Sequence, residues 1–385
     1  MKTMKNIFII FLSVLAALCG CTKVVVQVPE RQSAVCFGEP VVSTISKAVP
    51  GEIVDHYPPG ESFGVFSIYH QNKFSGWANG SWYISGAEFS YDDSLDDDDT
   101  DKRGGWAGGY FFPKGGYLSF AAFSPFDAHS NTPGEGTGKF EYGPSGENTS
   151  NGLTITNFTV ASDPADQFDL MYSERIYDRQ SSTEEDDEYY YEGMDLVFHH
   201  ALSSIRFNVQ KKEEYPDHIF TLTNISIGDV KYKGSFAENV LNEKSSTYSK
   251  DPAWDVSKYG YVDSPYMMAI NNDDPETPEV EPLIVTEYGT NNFNEVPQGA
   301  ILMPQTFNKE LEIVNGDAYI YIEYTVATET MPAVTQTATV PIHSLTDSWE
   351  IGKRYIYNII LGYDKITISP TVNGWEDVTV EAPIK

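Results

Sequence analysis

Little in this chain could cross-link it, hold it to nucleic acid or cut a substrate. Three cysteines occur in 385 residues, Cys19, Cys21 and Cys36. Two of them sit at the extreme N-terminus, so the body keeps Cys36 alone, has no intramolecular disulfide and must be stabilised by packing. Cys36 lies in the apolar run Ala34-Val35-Cys36-Phe37 and reads as a small core residue. Basic residues are scarce too: 25 Lys and Arg stand against 56 Asp and Glu, for a net charge of −31. Such a chain has no nucleic-acid partner and no polybasic grip on a membrane. No window of a dozen residues carries an i, i+3, i+4, i+7 stripe, which excludes an amphipathic helical framework. Gly-x-Ser-x-Gly, His-Glu-x-x-His and a phosphate-binding P-loop are all missing. Nothing lifts any pair among the acids above chance as a glycosidase site. No catalytic residue, metal ligand set or cofactor is expected.

The one continuous apolar run is N-terminal. Lys2 and Lys5 precede Ile7 to Leu18, and Leu18-Cys19-Gly20-Cys21 follows at once. At about 1.5 Å per residue this run is too short for a hydrocarbon core of roughly 30 Å, so it reads as an export signal. Leu-x-Gly-Cys resembles the lipobox of bacterial lipoproteins. That resemblance implies removal of residues 1–20 and acylation of Cys21, which would hold the protein to the outer membrane.

Beyond the signal, alternation with a period of two dominates. Strands are expected at Phe63 to Tyr69, Tyr117 to Ser124, Leu153 to Val160, Leu196 to Phe198 and Ile205 to Val209. Others are expected at Phe220 to Ile227, Tyr319 to Thr328, Tyr355 to Leu361 and Lys365 to Ser369. Pro113-Lys114-Gly115-Gly116 and Pro133-Gly134-Glu135-Gly136 punctuate them. The fold class is therefore all-β, built as sandwiches. Two acidic stretches stand out, Asp92 to Asp101 and Glu184 to Glu188. The first could offer oxygen ligands to calcium, but it lacks the glycine and closing glutamate of an EF-hand and reads as a solvated loop. The second separates two strand-rich halves, 48–190 and 191–385. His199 and His200 are adjacent, and on a strand they point to opposite faces, so they are not a metal pair. Aromatics gather at Trp77, Trp82, Tyr83, Trp106, Tyr110, Phe111 and Phe112. They read as core and sheet cover, with a sugar-stacking platform as the alternative.

A series of motifs runs in order along the chain. Phe63-Gly64-Val65-Phe66 comes first, then Phe112-Pro113 with Tyr117-Leu118-Ser119-Phe120-Ala121-Ala122-Phe123-Ser124-Pro125, then Asp169-Leu170-Met171-Tyr172. Phe198-His199-His200-Ala201-Leu202-Ser203-Ser204-Ile205-Arg206-Phe207 and Ile301-Leu302-Met303-Pro304-Gln305 follow. Trp349-Glu350-Ile351-Gly352-Lys353-Arg354-Tyr355-Ile356-Tyr357-Asn358 and Val372-Asn373-Gly374-Trp375 end the series. Behind a lipobox, this order resembles the fimbrillin family of Bacteroidales, pilin-like lipoproteins that include fimbrial subunits. The resemblance implies two tandem β-sandwiches of transthyretin-like, Greek-key topology. It also implies a cell-surface fimbrium whose subunits join by strand exchange, with other fimbrial subunits as partners and a surface ligand for adhesion. In such subunits a protease cuts after a basic residue beyond the first strand. The matching positions here are Lys47, with Ala48 as the new terminus, and Arg31. Residues 21–47 would then be an anchor segment and first strand, with Ala34, Cys36 and Val41 seated in the exchange groove. The donor would be C-terminal, around Ile366 and Ile368 or Val378 and Val380. The rival class is a carbohydrate-binding outer-membrane lipoprotein serving glycan capture, which a flat row of exposed tryptophans would mark.

Overall fold

The computed structural model describes residues 34–42, 57, 60–75, 80–93, 105–126, 140–142, 152–180, 193–238, 252–270, 282–290, 292–307, 318–363 and 365–374. Among them the regular structure is β, with short 3₁₀ turns that include Pro164–Asp166 and Ile342–Ser344. The alternation of β-branched and aromatic residues accounts for this, since such side chains suit a pleated, half-buried surface.

The first sheet runs β1 (Ala34–Phe37), β5 (Gly105–Phe111), β4 (Ser81–Asp92), β3 (Phe63–His70), β6 (Tyr117–Ser124), β9 (Met171–Ser173), β11 (Val197–His200) and β2 (Val41–Val42). A ninth strand, β10 (Ile176–Arg179), also pairs with β6. Its middle strands β3 and β6 are buried on both faces. Phe63, Val65, Leu118, Phe120 and Ala122 pack into one core, while Phe66, Ile68, Ala121 and Phe123 on the opposite face belong to a second, larger one.

That larger core lies between two further sheets. One is β18 (Asn294–Glu295), β12 (Ser203–Lys211), β24 (Lys353–Leu361) and β25 (Ile366–Gly374), with β19 (Ala300–Leu302) beside β12. The other is β16 (Tyr266–Met267), β13 (Ile219–Gly228), β21 (Tyr319–Ala327) and β22 (Val334–Pro341), with β17 (Leu283–Val285) beside β13. Strict alternation sets which side chains enter the core: every second residue of Tyr319–Ala327 is buried, from Ile320 to Val326. β12 and β24 pair in parallel although about 150 residues separate them, with Ile205 opposite Tyr355.

A fourth sheet takes β15 (Ala253–Asp255), β14 (Lys233–Ala237), β8 (Leu153–Thr159) and β7 (Phe140–Tyr142); β20 (Gln305–Thr306) and β23 (Ser348–Trp349) form a small ribbon. The pairing of β8 with β14 joins residues from either side of position 190, where the acidic run suggested a boundary. A buried ion pair fastens the same place. Arg175 forks onto Glu238 with an Nη1–Oε1 distance of 2.6 Å, both side chains are almost wholly buried, and Glu238 also accepts from the Leu153 amide at 2.9 Å.

Candidate functional site

Residues 34–42 occupy an unusual place in the first sheet. β1 pairs antiparallel with β5, at one end of the strand order, and β2 pairs in parallel with β11, at the other. One short segment therefore closes the sheet on itself. Between its two strands the segment stays bonded to 194–196. The Gly38 amide donates to the Met194 carbonyl at 3.0 Å, Met194 donates back to Cys36 at 3.0 Å, and Val41 donates to Leu196 at 2.8 Å.

The core side of this segment is a row of plugs. Val35 and Phe37 have no exposed surface and Val42 has 8%. Phe37 makes edge-on ring contacts with Phe63, Phe89 and Phe120 at centroid distances of 5.6, 5.4 and 5.7 Å. Tyr57 seals the neighbouring space. It lies against Phe63, Trp106 and Phe198, and its hydroxyl shares a 2.7 Å hydrogen bond with Ser124. Burial raises the Tyr57 hydroxyl well above the usual phenol range.

The expected groove residues fall on the other face. Ala34 and Cys36 are half-buried and Val41 is 51% exposed. Cys36 is thus not a core residue, although partial burial still pushes its thiol up. The reason is parity. Neighbouring side chains on a strand alternate, so Val35 and Phe37 inside put Ala34 and Cys36 outside. Gly38-Glu39-Pro40 then interrupts the ladder and shifts the phase, which turns Val42 inward and Val41 out. The larger side chains, Val35 and Phe37, were the available signal in the sequence.

Gly193 is required by the same contact. A Cβ there would stand 2.5 Å from the Gly38 nitrogen and 2.6 Å from the Phe37 carbonyl carbon, and its φ of 74° is in the region that favours glycine. Neither Gly193 nor Met194 was signalled by the sequence, because their role is to let two backbones approach.

Ile366 and Ile368 lie in β25, which pairs with β24 along its whole length and packs those two side chains against the larger core. Cys21, Arg31, Lys47, Ala48, Val378 and Val380 lie outside the described residues, as do both acidic stretches for most of their length. His199 and His200 do face different carboxylates, Glu174 at 3.2 Å and Asp169 at 2.6 Å. Among the aromatics that could have made a sugar platform, Trp106 is buried with its indole donating to the Glu61 carbonyl. Trp82 is 49% exposed, and its ring contacts Phe66 edge-on. With Trp106 buried, these two tryptophans do not make an exposed row, and Trp77 lies outside the described residues.

The chain has relatives. The fimbrillin-like family profile matches residues 59–375. A fimbrial protein from Bacteroides vulgatus of known structure superposes with a TM-score of 0.53 at 16% identity, covering 89% of this chain and 99% of that one. A candidate cell adhesion protein from Bacteroides uniformis covers 89% of this chain and 98% of its own at 11% identity, with a TM-score of 0.43. A search among curated proteins finds no match. The family profile spans the first sheet from its third strand to the last strand of the second, and the chain belongs to the fimbrillin-like family.

Proposed function

We propose that this protein is a non-enzymatic fimbrial subunit of the cell surface, joined to its neighbours by exchange of the strand at residues 34–42. The observation that carries the reading is the closure just described. Taking the segment away would leave one edge of Gly105–Phe111 and one edge of Met194–Phe198 without main-chain partners, and would uncover Phe63, Phe89 and Phe120. An incoming strand would restore both, its main chain supplying hydrogen bonds and its alternate side chains filling the plug positions. Cleavage after Lys47 would release the segment together with a lipid on Cys21. Cleavage after Arg31 would release the lipid and leave the strand.

The donor best matched in sequence is the C-terminal tail. Val378, Val380 and Pro383 recur at the spacing of Val35, Phe37 and Pro40, and Ile384 falls at the place of Val41. Lys385, at the place of Val42, breaks the match. Ile366 and Ile368 are the weaker candidates, since they are already engaged with β24.

The test is mass spectrometry of the mature N-terminus on protein from the native surface, paired with unheated gels in dodecyl sulfate. The expected result is a terminus at Ala48, a ladder of resistant oligomers, and loss of that ladder when residues 377–385 are deleted. A lipidated Cys21 terminus with monomer alone would overturn exchange at this groove.

A further inference from the structure

We infer a second docking surface, independent of the first: the outer edge of β22 pairs antiparallel with the same strand of another copy of this chain. β22 ends its sheet, and no described residue pairs with its far side. Its ladder to β21 is regular from Val326–Val334 to Tyr319–Pro341, without a bulge. The Ile342 amide donates to Ala318, one step beyond the last pair of that ladder. Hydrogen-bonding direction alternates along an antiparallel strand, so the even residues face β21. Thr335, Thr337 and Thr339 then present their own N–H and C=O groups outward. Pro341, which has no N–H to offer, falls on the outward set too, as an edge proline should.

Edges of this kind are normally blunted with charge, proline or a bulge. The last strand of the neighbouring sheet, β25, has Pro370 at its middle. β22 has no such guard before its final residue, and Val334–Val340 contains no charged side chain. On a chain of net charge −31 that matters, because a copy can approach itself only where like charges are absent. Glu323, the acid on the adjacent strand, is engaged by the hydroxyls of Thr223 at 3.2 Å and Tyr321 at 3.0 Å.

The sequence specifies the occupant. Val334-Thr335-Gln336-Thr337-Ala338-Thr339-Val340 reads almost the same in both directions about Thr337. An antiparallel pair with its two-fold axis at Thr337 sets threonine against threonine at the three outward positions and valine against valine at the ends. Each outward pair exchanges two main-chain bonds, and facing β-branched side chains favour the strand pairing. The symmetry is that of an isologous dimer, in which one patch serves both partners. Such a seam is small, so the contact is weak in solution and gains strength where copies are held close together.

Sedimentation velocity on the purified full chain, across a concentration series in density-matched detergent, tests this. The expected result is reversible dimerisation that tightens as salt is raised, since salt screens the net repulsion. Thr337→Pro removes the central outward N–H and spares the bonds to β21; Thr337→Lys keeps the N–H and places two charges on the axis. Each should weaken the dimer tenfold or more, with melting temperature and far-UV spectrum unchanged. A Thr337→Cys chain should oxidise to a dimer whose linkage maps to position 337 of both copies. A monomer at every concentration and salt, or a dimer indifferent to both substitutions, would overturn the proposal. Association lost through Phe37→Asp but untouched at Thr337 would assign it to strand exchange instead, and would overturn this seam equally.

Discussion

The segment at residues 34–42 and the strand at 366–374 are attached to the body by opposite means. The first has two short strands of four and two residues, yet its inward side chains are buried, Val35 and Phe37 completely. The second has nine consecutive register pairs with β24, yet Ile366 and Ile368 are only partly covered and Val372 is 47% exposed. Main-chain pairing depends little on sequence, whereas a plug is specific to size and spacing. A strand held by plugs can be replaced by any segment that repeats their positions; a strand held by its ladder is integral to its sheet. The difference is what favours the N-terminal segment for the exchange proposed above.

Substitution at the plugs should produce the largest effect. Phe37→Ala removes a wholly buried ring among three others, at a cost of about 3–5 kcal/mol. Ile368→Ala in the ladder-held strand should cost less than half of that, because its side chain is already part-solvated. Urea unfolding of both variants gives the comparison, and equal losses would show that the two strands are held alike. Gly193→Ala should cost about 1–3 kcal/mol through its strained φ and its overlap with the Phe37–Gly38 backbone. The loss should appear as faster amide exchange confined to residues 34–42 and 194–198, ahead of any change in the larger core.

Alkali separates the two cores in another way. Burial holds the hydroxyls of Tyr57, Tyr266, Tyr355 and Tyr357 well above the usual phenol range. Below the unfolded phenol value of about 10 both states are neutral and stability is unaffected. Above it the unfolded chain loses protons that the folded chain keeps, so stability falls by up to about 1.4 kcal/mol per pH unit for each buried group. Followed by tyrosinate absorbance, Tyr57 should ionise before the other three if the closing segment opens on its own; Tyr57→Phe identifies its share. The smallest effect belongs to the outward face of the same segment. Cys36→Ser should change stability by no more than about 0.5 kcal/mol, and a loss comparable to Phe37→Ala would mean the wrong face has been taken as the core side.

Much of this was legible in the sequence. The strands expected from alternation all occur, several of them longer than the pattern alone suggests. Three that carry the argument were not visible. β4 reads SWYISGAEFSYD, where glycine at 86 and outward-facing aromatics blur the alternation, and its partner β3 meets it with two register shifts. β5 is rich in glycine. β22 is mostly threonine and valine with no strong polar–apolar contrast, because an edge strand has so little to bury. For the site, the segment was identifiable, but its inward face was signalled only by the greater size of Val35 and Phe37.

The chain's own pattern determined that it would be β, that its surface would repel itself, and which short runs would become strands. These are local or summed properties, and period-two alternation or a count of charges expresses them fully. Only the tertiary structure decided that residues 34–42 would bridge the two ends of one sheet. It alone put Val35 and Phe37 inside rather than Ala34 and Cys36, paired β12 with β24, and brought Arg175 to Glu238 across 63 residues. A strand's period defines two faces without saying which meets the core. That choice is made by the partners a strand finds far along the chain, and by interruptions such as Gly38-Glu39-Pro40 that reverse the phase between one partner and the next.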